Sequence, residues 1–514
     1  MAQRPNILVI TADQQRGDTF GFEGSKVKTP HLDLMAAEGT VFGACITPNL
    51  VCQPARASIL SGLLPRTHGV ADNGIDLPVT TGEAGFAGQL AATGYCTGYI
   101  GKMHFATSHT FEPTGKPECR GSMERYGEDW YGPYMGFEYV EMVVEGHNRW
   151  DPAPPPSGQH YERWYYQDGR GDLKNKLFRK NVGPDTLGAP QTWHSGLPVA
   201  WHNSTWVGDR TIGYLNTHAE DAKSGNKPFC AWASFPDPHH PFDCPVPWSL
   251  LHDPNDIDLP PHRTLDLDKR PWWHRESLEG EPKIREDLAE VRKNYSRIRT
   301  LSDDQLRQVI ANYYGMISLI DHNVGRIMTE LERLGLAENT LVIYATDHGD
   351  WLGDHGLLLK GPMPYEGLLR VGCLMKGPGV PQGERCGEPV STLDIGATAL
   401  DAAGVAKPHN WHSRSLLPVA QGKEERAYAY SEWDLNESRC GVKLELRTVR
   451  TKTHKLTLEM ISGAGELYDL VDDKHETTNR FDDPALQNVQ KELVDMIMSR
   501  PDDAIDAIEP VGMA

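Results

Sequence analysis

Asn6-Ile7-Leu8-Val9-Ile10-Thr11 is a continuous run dominated by branched apolar residues, and it breaks at Asp13-Gln14. Apolar side chains at successive rather than alternate positions mark a strand buried on both faces, as in the interior of a parallel sheet. Comparable runs return at residues 95–100, 229–235 and 341–345, each followed by polar or glycine-rich residues. Between them lies helical spacing, clearest where Leu306, Val309, Ile310, Tyr313, Ile317 and Ile320 open a stripe that ends at Gly335. Strand alternating with helix predicts an α/β fold built on a mostly parallel sheet, with reactive groups at the carboxyl ends of its strands.

The chain has 514 residues, enough for a large core and about two to four domains. Near residue 406 a Pro/His/Asn segment leads into shorter alternating runs at 444–449 and 455–460. This predicts a large α/β domain over residues 1–405 and a smaller α+β domain over 406–514. Two stretches, about 106–206 and 246–300, interrupt the pattern and are rich in Trp, Pro, Gly, His and charge. They are expected to be insertions that form lids, oligomer contacts or solvated loops. No internal repeat or low-complexity tract is present.

Fifty-one basic and 71 acidic residues leave a formal net charge of -20, which argues against nucleic acid or an anionic membrane as partner. An anionic substrate would then need a locally positive pocket. No apolar stretch reaches the roughly 20 residues of a membrane span, and the run at 7–10 is too short for a signal-peptide core. Nine cysteines without framework spacing fit a reducing compartment. The expected location is cytoplasmic, and the expected assembly a homo-oligomer.

Cys52-Gln53-Pro54-Ala55-Arg56 carries the most specific chemical signal. The pattern C-x-P-x-R is what formylglycine-generating machinery reads, so Cys52 is a candidate for conversion to an aldehyde (3-oxoalanine). Hydrated, that aldehyde is a geminal diol, which can attack with one hydroxyl and later expel the product using the other. The alternative is a structural cysteine before a helix.

The strand exits supply partners for such a nucleophile. Asp13-Gln14 follows the first strand and Asp347-His348 follows the run at 341–345. Three oxygen donors and one imidazole suit a divalent cation, whose site a diol oxygen derived from Cys52 would complete as a fifth ligand; oxygen favours Ca2+ or Mg2+, and the nitrogen shifts the choice towards Mn2+. Without Cys52 the same residues would read as helix caps. Lys102 and His104 follow the run at 95–100, His239-His240 the run at 229–235, and Lys360 lies thirteen residues beyond Asp347. Cations and proton carriers gathered at strand exits suit a tetrahedral oxyanion ester. Singly, each reads as a surface lysine or hydrogen-bonded histidine, and His239-His240 alternatively as a structural metal pair.

Taken together, these motifs resemble the formylglycine-dependent sulfatases of the alkaline phosphatase superfamily, over essentially the whole chain. The resemblance implies a large mixed sheet between helices and a small C-terminal domain with an antiparallel sheet and one helix. It also implies sulfate monoesters as substrates, a sulfated covalent intermediate, and a formylglycine-generating enzyme as maturation partner. Residue by residue, it makes Cys52 the formylglycine, steadied by Arg56, with Asp13, Gln14, Asp347 and His348 holding one divalent ion, Ca2+ or Mn2+. Lys102 and Lys360 would bind sulfate oxygens, His239 would protonate the leaving alcohol, and His104 would take the second diol proton. Asn73 matches a substrate-contacting asparagine, or is a turn residue in Asp72-Asn73-Gly74.

Two positions depart from the pattern. Many sulfatases carry aspartate where Gln14 stands and asparagine where His348 stands. The nearest rival is a phosphonate monoester or phosphodiester hydrolase of the same superfamily; such enzymes tend to place Tyr and Thr at the positions of Lys102 and His104. A non-catalytic anion binder would not need the proton carriers. A mutase or alkaline phosphatase would need a Ser or Thr nucleophile and a second metal cluster, for which His355 is the leftover candidate. Trp130, Trp150, Trp164 and Trp193 suit either an aryl or sugar pocket or core and oligomer contacts.

Overall fold

The computed structural model describes residues 4–144, 159–283, 298 and 301–513. Its centre is an eight-stranded sheet. The strands are β1 (Asn6–Ala12), β2 (Thr40–Phe42), β3 (Cys96–Lys102), β4 (Tyr139–Val143), β5 (Phe229–Phe235), β6 (Thr340–Thr346), β7 (Cys373–Lys376) and β8 (Glu384–Cys386). Their order across the sheet is β8-β2-β7-β6-β1-β5-β3-β4. All pairs are parallel except those of β7, which runs antiparallel to both β6 and β2. The sheet is therefore mixed and mostly parallel.

Side chains alternate across each strand, so the unbroken apolar run of β1 feeds two cores at once. Ile7 and Val9 face one layer, with Ala57, Ile59 and Leu60 of helix α1 (Cys52–Ser61). Leu8 and Ile10 face the other, with α2 (Asn203–Ser224) and α3 (Asp303–Arg333). The stripe read from Leu306 onward belongs to α3, whose start is set by a capping box between Ser302 and Gln305. Burying three neighbouring strands on both faces explains why no polar residue interrupts them until their carboxyl ends.

Beyond the sheet, Trp411, Leu416 and Val419 still pack into the core that contains Ile7 and Val9. The second sheet is antiparallel, with strands β9 (Ala429–Leu435), β10 (Leu444–Arg450), β11 (His454–Glu459) and β12 (Gly465–Asp469) in sequence order. Helix α4 (Gln487–Met498) covers one face through Leu493 and Ile497 against Val449, Leu456 and Leu467.

The stretch expected as a first insertion, 106–206, also contributes to the core. Its β4 pairs with β3 as the edge of the main sheet. Trp130 packs against the core, Trp164 lies tilted against Tyr161, and Trp193 meets Phe178 edge-on. Trp150 lies outside the described residues, as does part of 246–300. Among the described residues, no helix is long and apolar enough to cross a membrane.

Candidate active site

Strands β6, β1, β5 and β3 are consecutive in the sheet. Register places Ala12 opposite both Phe235 and Thr346, so their carboxyl ends are level. The exits stay joined beyond the pairing: Asp13 N donates to Asp237 O at 3.0 Å and Asp347 N to Ala12 O at 3.3 Å. One rim thus presents Asp347-His348, Asp13-Gln14, His239-His240 and Lys102 with His104.

Cys52 opens α1 above this rim, after extended backbone at Val51. The helix starts at Cys52 itself, two residues before Pro54. Proline is tolerated there because the first-turn N–H groups have no partner within the helix. Cys52 consequently sits at the positive end of the helix. Asn73 Oδ1 accepts from Gln53 N at 3.0 Å, which caps that end. Gln53 in turn receives Gly74 N at 2.9 Å and donates to Ile75 O at 2.7 Å. Gly74 has φ 94, a turn conformation that suits glycine.

Around Cys52 Sγ lie His348 Nε2 at 3.1 Å, Lys360 Nζ at 3.1 Å, Asp13 Oδ1 at 3.5 Å and Lys102 Nζ at 3.9 Å. His104 and His239 also lie close enough to interact with it, and a charged sulfur there favours their protonation. Arg56, expected to steady the hydrated residue 52, bonds to the groups around it. Its Nε donates to Asp347 Oδ2 at 2.8 Å, and one terminal nitrogen to Asp13 Oδ2 at 3.3 Å. The other donates to Lys102 O and Ser234 Oγ, both at 2.7 Å. None of these bonds goes to Cys52; Arg56 reaches it through the two carboxylates.

Burial alone would raise the Cys52 thiol, but Lys102, Lys360 and His348 outweigh it and hold the group well below an ordinary thiol. Burial and Cys52 push Asp13 up, while Lys102, Arg56 and Lys360 bring it below the usual carboxylate range. His239 is driven well below an ordinary histidine, first by burial and then by Lys360 and His240. Its Nδ1 bonds to His240 O at 2.7 Å, which turns Nε2 towards Lys360 Nζ at 3.0 Å. Burial likewise keeps His104 low, and its Nδ1 is enclosed with no partner.

Ligand atoms of Asp13, Cys52, Asp347 and His348 all lie within 4.8 Å of one another. Nearby, Gln14 Oε1 is buried without a hydrogen-bond partner. His348 Nδ1 is occupied by Gly349 O at 2.8 Å, which leaves Nε2 for coordination. Two carboxylates, an imidazole nitrogen and an orphaned amide oxygen are a donor set that fits one hard divalent cation. A second group, His262, Asp266 and His355, is already engaged: Arg270 donates to both oxygens of Asp266, at 3.0 and 2.8 Å, and lies 3.3 Å from His355 Nδ1.

Asp350 is a site residue that motif reading passed over. It bonds Gln14 Nε2 at 2.6 Å, and its one sequence signal was its position directly after Asp347-His348-Gly349. Glu118 is another, since its carboxylate receives Phe105 N at 3.1 Å and Ala106 N at 3.0 Å beside His104. Nothing in the sequence around Glu118 indicates that contact.

The mixed sheet, the rim of charged strand ends and Cys52 at a helix start form a buried, locally positive site that suits a tetrahedral oxyanion ester. A sulfatase family profile matches residues 5–405, and the C-terminal profile of N-sulphoglucosamine sulphohydrolase matches 353–502. The chain belongs to the sulfatase family, enzymes that hydrolyse sulfuric esters. It is 28% identical to an arylsulfatase of Clostridium perfringens, covering 93% of this chain and 90% of that protein. A choline-sulfatase of Rhizobium meliloti is 26% identical, over 94% of this chain and 83% of the other. Among solved structures, a phosphonate monoester hydrolase from Silicibacter pomeroyi superposes with TM-score 0.76 at 21% identity, over 98% and 96% of the two chains.

Proposed function

We propose that this protein is an arylsulfatase-like enzyme whose nucleophile is Cys52, matured to formylglycine by a formylglycine-generating enzyme. The observation that carries this reading is the position of Cys52 Sγ, at the first turn of α1 and within reach of Lys102, Lys360, His104, His239 and His348. That sulfur stands where the hydroxyls of the hydrated aldehyde would be. Asp13, Gln14, Asp347 and His348 would hold one divalent ion, Ca2+ or Mn2+, which when bound favours ionisation of a neighbouring hydroxyl. Arg56 orients the two aspartates for that purpose.

The remaining chemistry belongs to the chain's own side chains. The free N–H groups of α1 favour an ionised hydroxyl on residue 52. That oxygen attacks sulfur as the bond from sulfur to the alcohol oxygen breaks. Lys102 and Lys360 neutralise the sulfate oxygens, worth several kcal/mol in a water-poor site, about 3 per well-placed donor. His239 would deliver a proton to the departing oxygen from Nε2; with Nδ1–H committed to His240 O, that proton comes from Lys360 Nζ, 3.0 Å away, which becomes neutral and leaves Lys102 to carry the sulfate's charge. His104, held neutral, accepts the proton of the second hydroxyl, so the carbon–oxygen bond to sulfate breaks and the aldehyde returns. Asn73 would act through the helix cap rather than on substrate. All nine cysteines are free, which supports a reducing compartment such as the cytoplasm.

The similarity to phosphonate monoester hydrolases keeps a second reading, since the same cations suit a phosphonate oxyanion. Lys102 and His104 favour sulfate. The test is kcat/KM for an aryl sulfate and an aryl phosphonate monoester, on wild type and Cys52→Ala, with protein matured by co-expression. A sulfate preference lost in Cys52→Ala supports the proposal; each tenfold of preference is about 1.4 kcal/mol in the transition state. A phosphonate preference would move the enzyme to the other branch.

A further inference from the structure

Asp350 is fully buried, and its two carboxylate oxygens hold different parts of the site. Oδ2 accepts from Gln14 Nε2 at 2.6 Å. Oδ1 accepts from Leu352 N at 2.7 Å and Leu359 N at 2.9 Å. Leu352 and Leu359 both have positive φ, 45 and 69, so this oxygen closes a loop whose backbone departs from ordinary geometry. Lys360, the lysine nearest Cys52, follows directly.

Gln14 Nε2 also meets His240 Nδ1 at 3.2 Å. One amide hydrogen goes to Asp350, the other has an acceptor when His240 carries its proton on Nε2, and a flipped amide would place Oε1 against a carboxylate oxygen. The orientation is determined: nitrogen towards Asp350, and Oε1 buried with no partner. The backbone of Gln14 is equally held, its N donating to Asp347 Oδ1 at 3.0 Å and its O accepting from Tyr313 Oη at 2.7 Å. A buried carbonyl oxygen without a donor is costly, and a cation would satisfy it.

We propose that Asp350 is a positioning residue that presents Gln14 Oε1 to the cation and, through the same carboxylate, fixes the loop that delivers Lys360. The inference rests on the cation reading above. Ligand orientation at one strand end and lysine placement at another then depend on a single side chain. Asparagine cannot replace it, because asparagine has one acceptor oxygen where Asp350 uses two.

The experiment is calorimetric titration of chelator-stripped full-length protein with Mn2+ alone, for wild type, Asp350→Asn, Gln14→Leu and the double variant. Asp350→Asn is expected to weaken Mn2+ binding by roughly 10- to 100-fold, as loss of a ligand-orienting partner does. In the Gln14→Leu background the same change is expected to cost less than about twofold. Wild-type affinity in Asp350→Asn, or an equal loss in both backgrounds, overturns the proposal. If Asp350→Asn does not fold, wild-type crystals grown with Mn2+ decide: Gln14 Oε1 on the ion with Nε2 on Asp350 supports it, and a reversed or disengaged amide overturns it. Wild-type protein that binds no more Mn2+ than Asp13→Asn would remove the cation reading itself, and this inference with it.

Discussion

Arg56 Nε donates to Asp347 Oδ2 at 2.8 Å, and neither side chain has any exposure to solvent. With the second contact to Asp13, one guanidinium fork spans both aspartates that flank Cys52. Lysine offers a point charge in place of that fork. Arg56→Lys is therefore expected to weaken cation affinity as well as activity, the latter by about 100-fold or more. Metal titration beside kinetics checks this; unchanged affinity with lost activity would return Arg56 to a direct role at residue 52.

A serine at position 52 could attack sulfur but has no second hydroxyl from which to release sulfate. Cys52→Ser is expected to stop after one turnover with a sulfo group attached at residue 52, visible by intact-protein mass spectrometry. Multiple turnover by that variant at the wild-type rate would sink the diol scheme.

His239 faces Lys360 with Nε2 and is kept neutral chiefly by burial. As donor to the leaving group, it matters most for poor leaving groups. His239→Ala is expected to lose about 100- to 10,000-fold on esters of weakly acidic alcohols and far less on nitrophenyl sulfate. A loss independent of leaving-group acidity, measured across substituted aryl sulfates, would argue against that role.

His68 is fully enclosed and its pKa is lowered to about 3, mainly by burial. Its Nδ1 accepts from Val70 N at 3.1 Å, so Nε2 carries the proton shared with Ser58 Oγ at 2.9 Å. Unfolded, it takes up a proton near 6.5; folded, it stays neutral until about 3. Between those values the unfolded chain binds more protons, so stability is lost as pH falls, by a few kcal/mol in order of magnitude. Thermal melts between pH 7 and 4 should show this slope, shallower in His68→Gln relative to that variant's own neutral-pH stability.

The continuous apolar runs at β1, β5 and β6 were enough to predict buried strands, because burial on both faces removes the period-2 alternation that would otherwise confuse them with surface strands. Chemistry was legible where neighbours in sequence are neighbours in the site, as in Cys52 to Arg56 or Asp347-His348. The edge strand β4 was not, because it lies in a stretch whose composition resembles a loop and it is stabilised by pairing with β3, far away in sequence. The C-terminal segment Gly512–Met513, which pairs with His109–Thr110, escaped notice for the same reason.

By itself, then, the sequence determined the α/β class, the candidate nucleophile and the types of group that surround it, since these follow from local patterns of burial and spacing. Only the tertiary structure decided that β6, β1, β5 and β3 are consecutive, that Arg56 joins the two aspartates, and that Asp350 holds Gln14. Those outcomes depend on hydrogen bonds between residues tens to hundreds of positions apart. Their energies exist only once the sheet has brought four strand ends to one level.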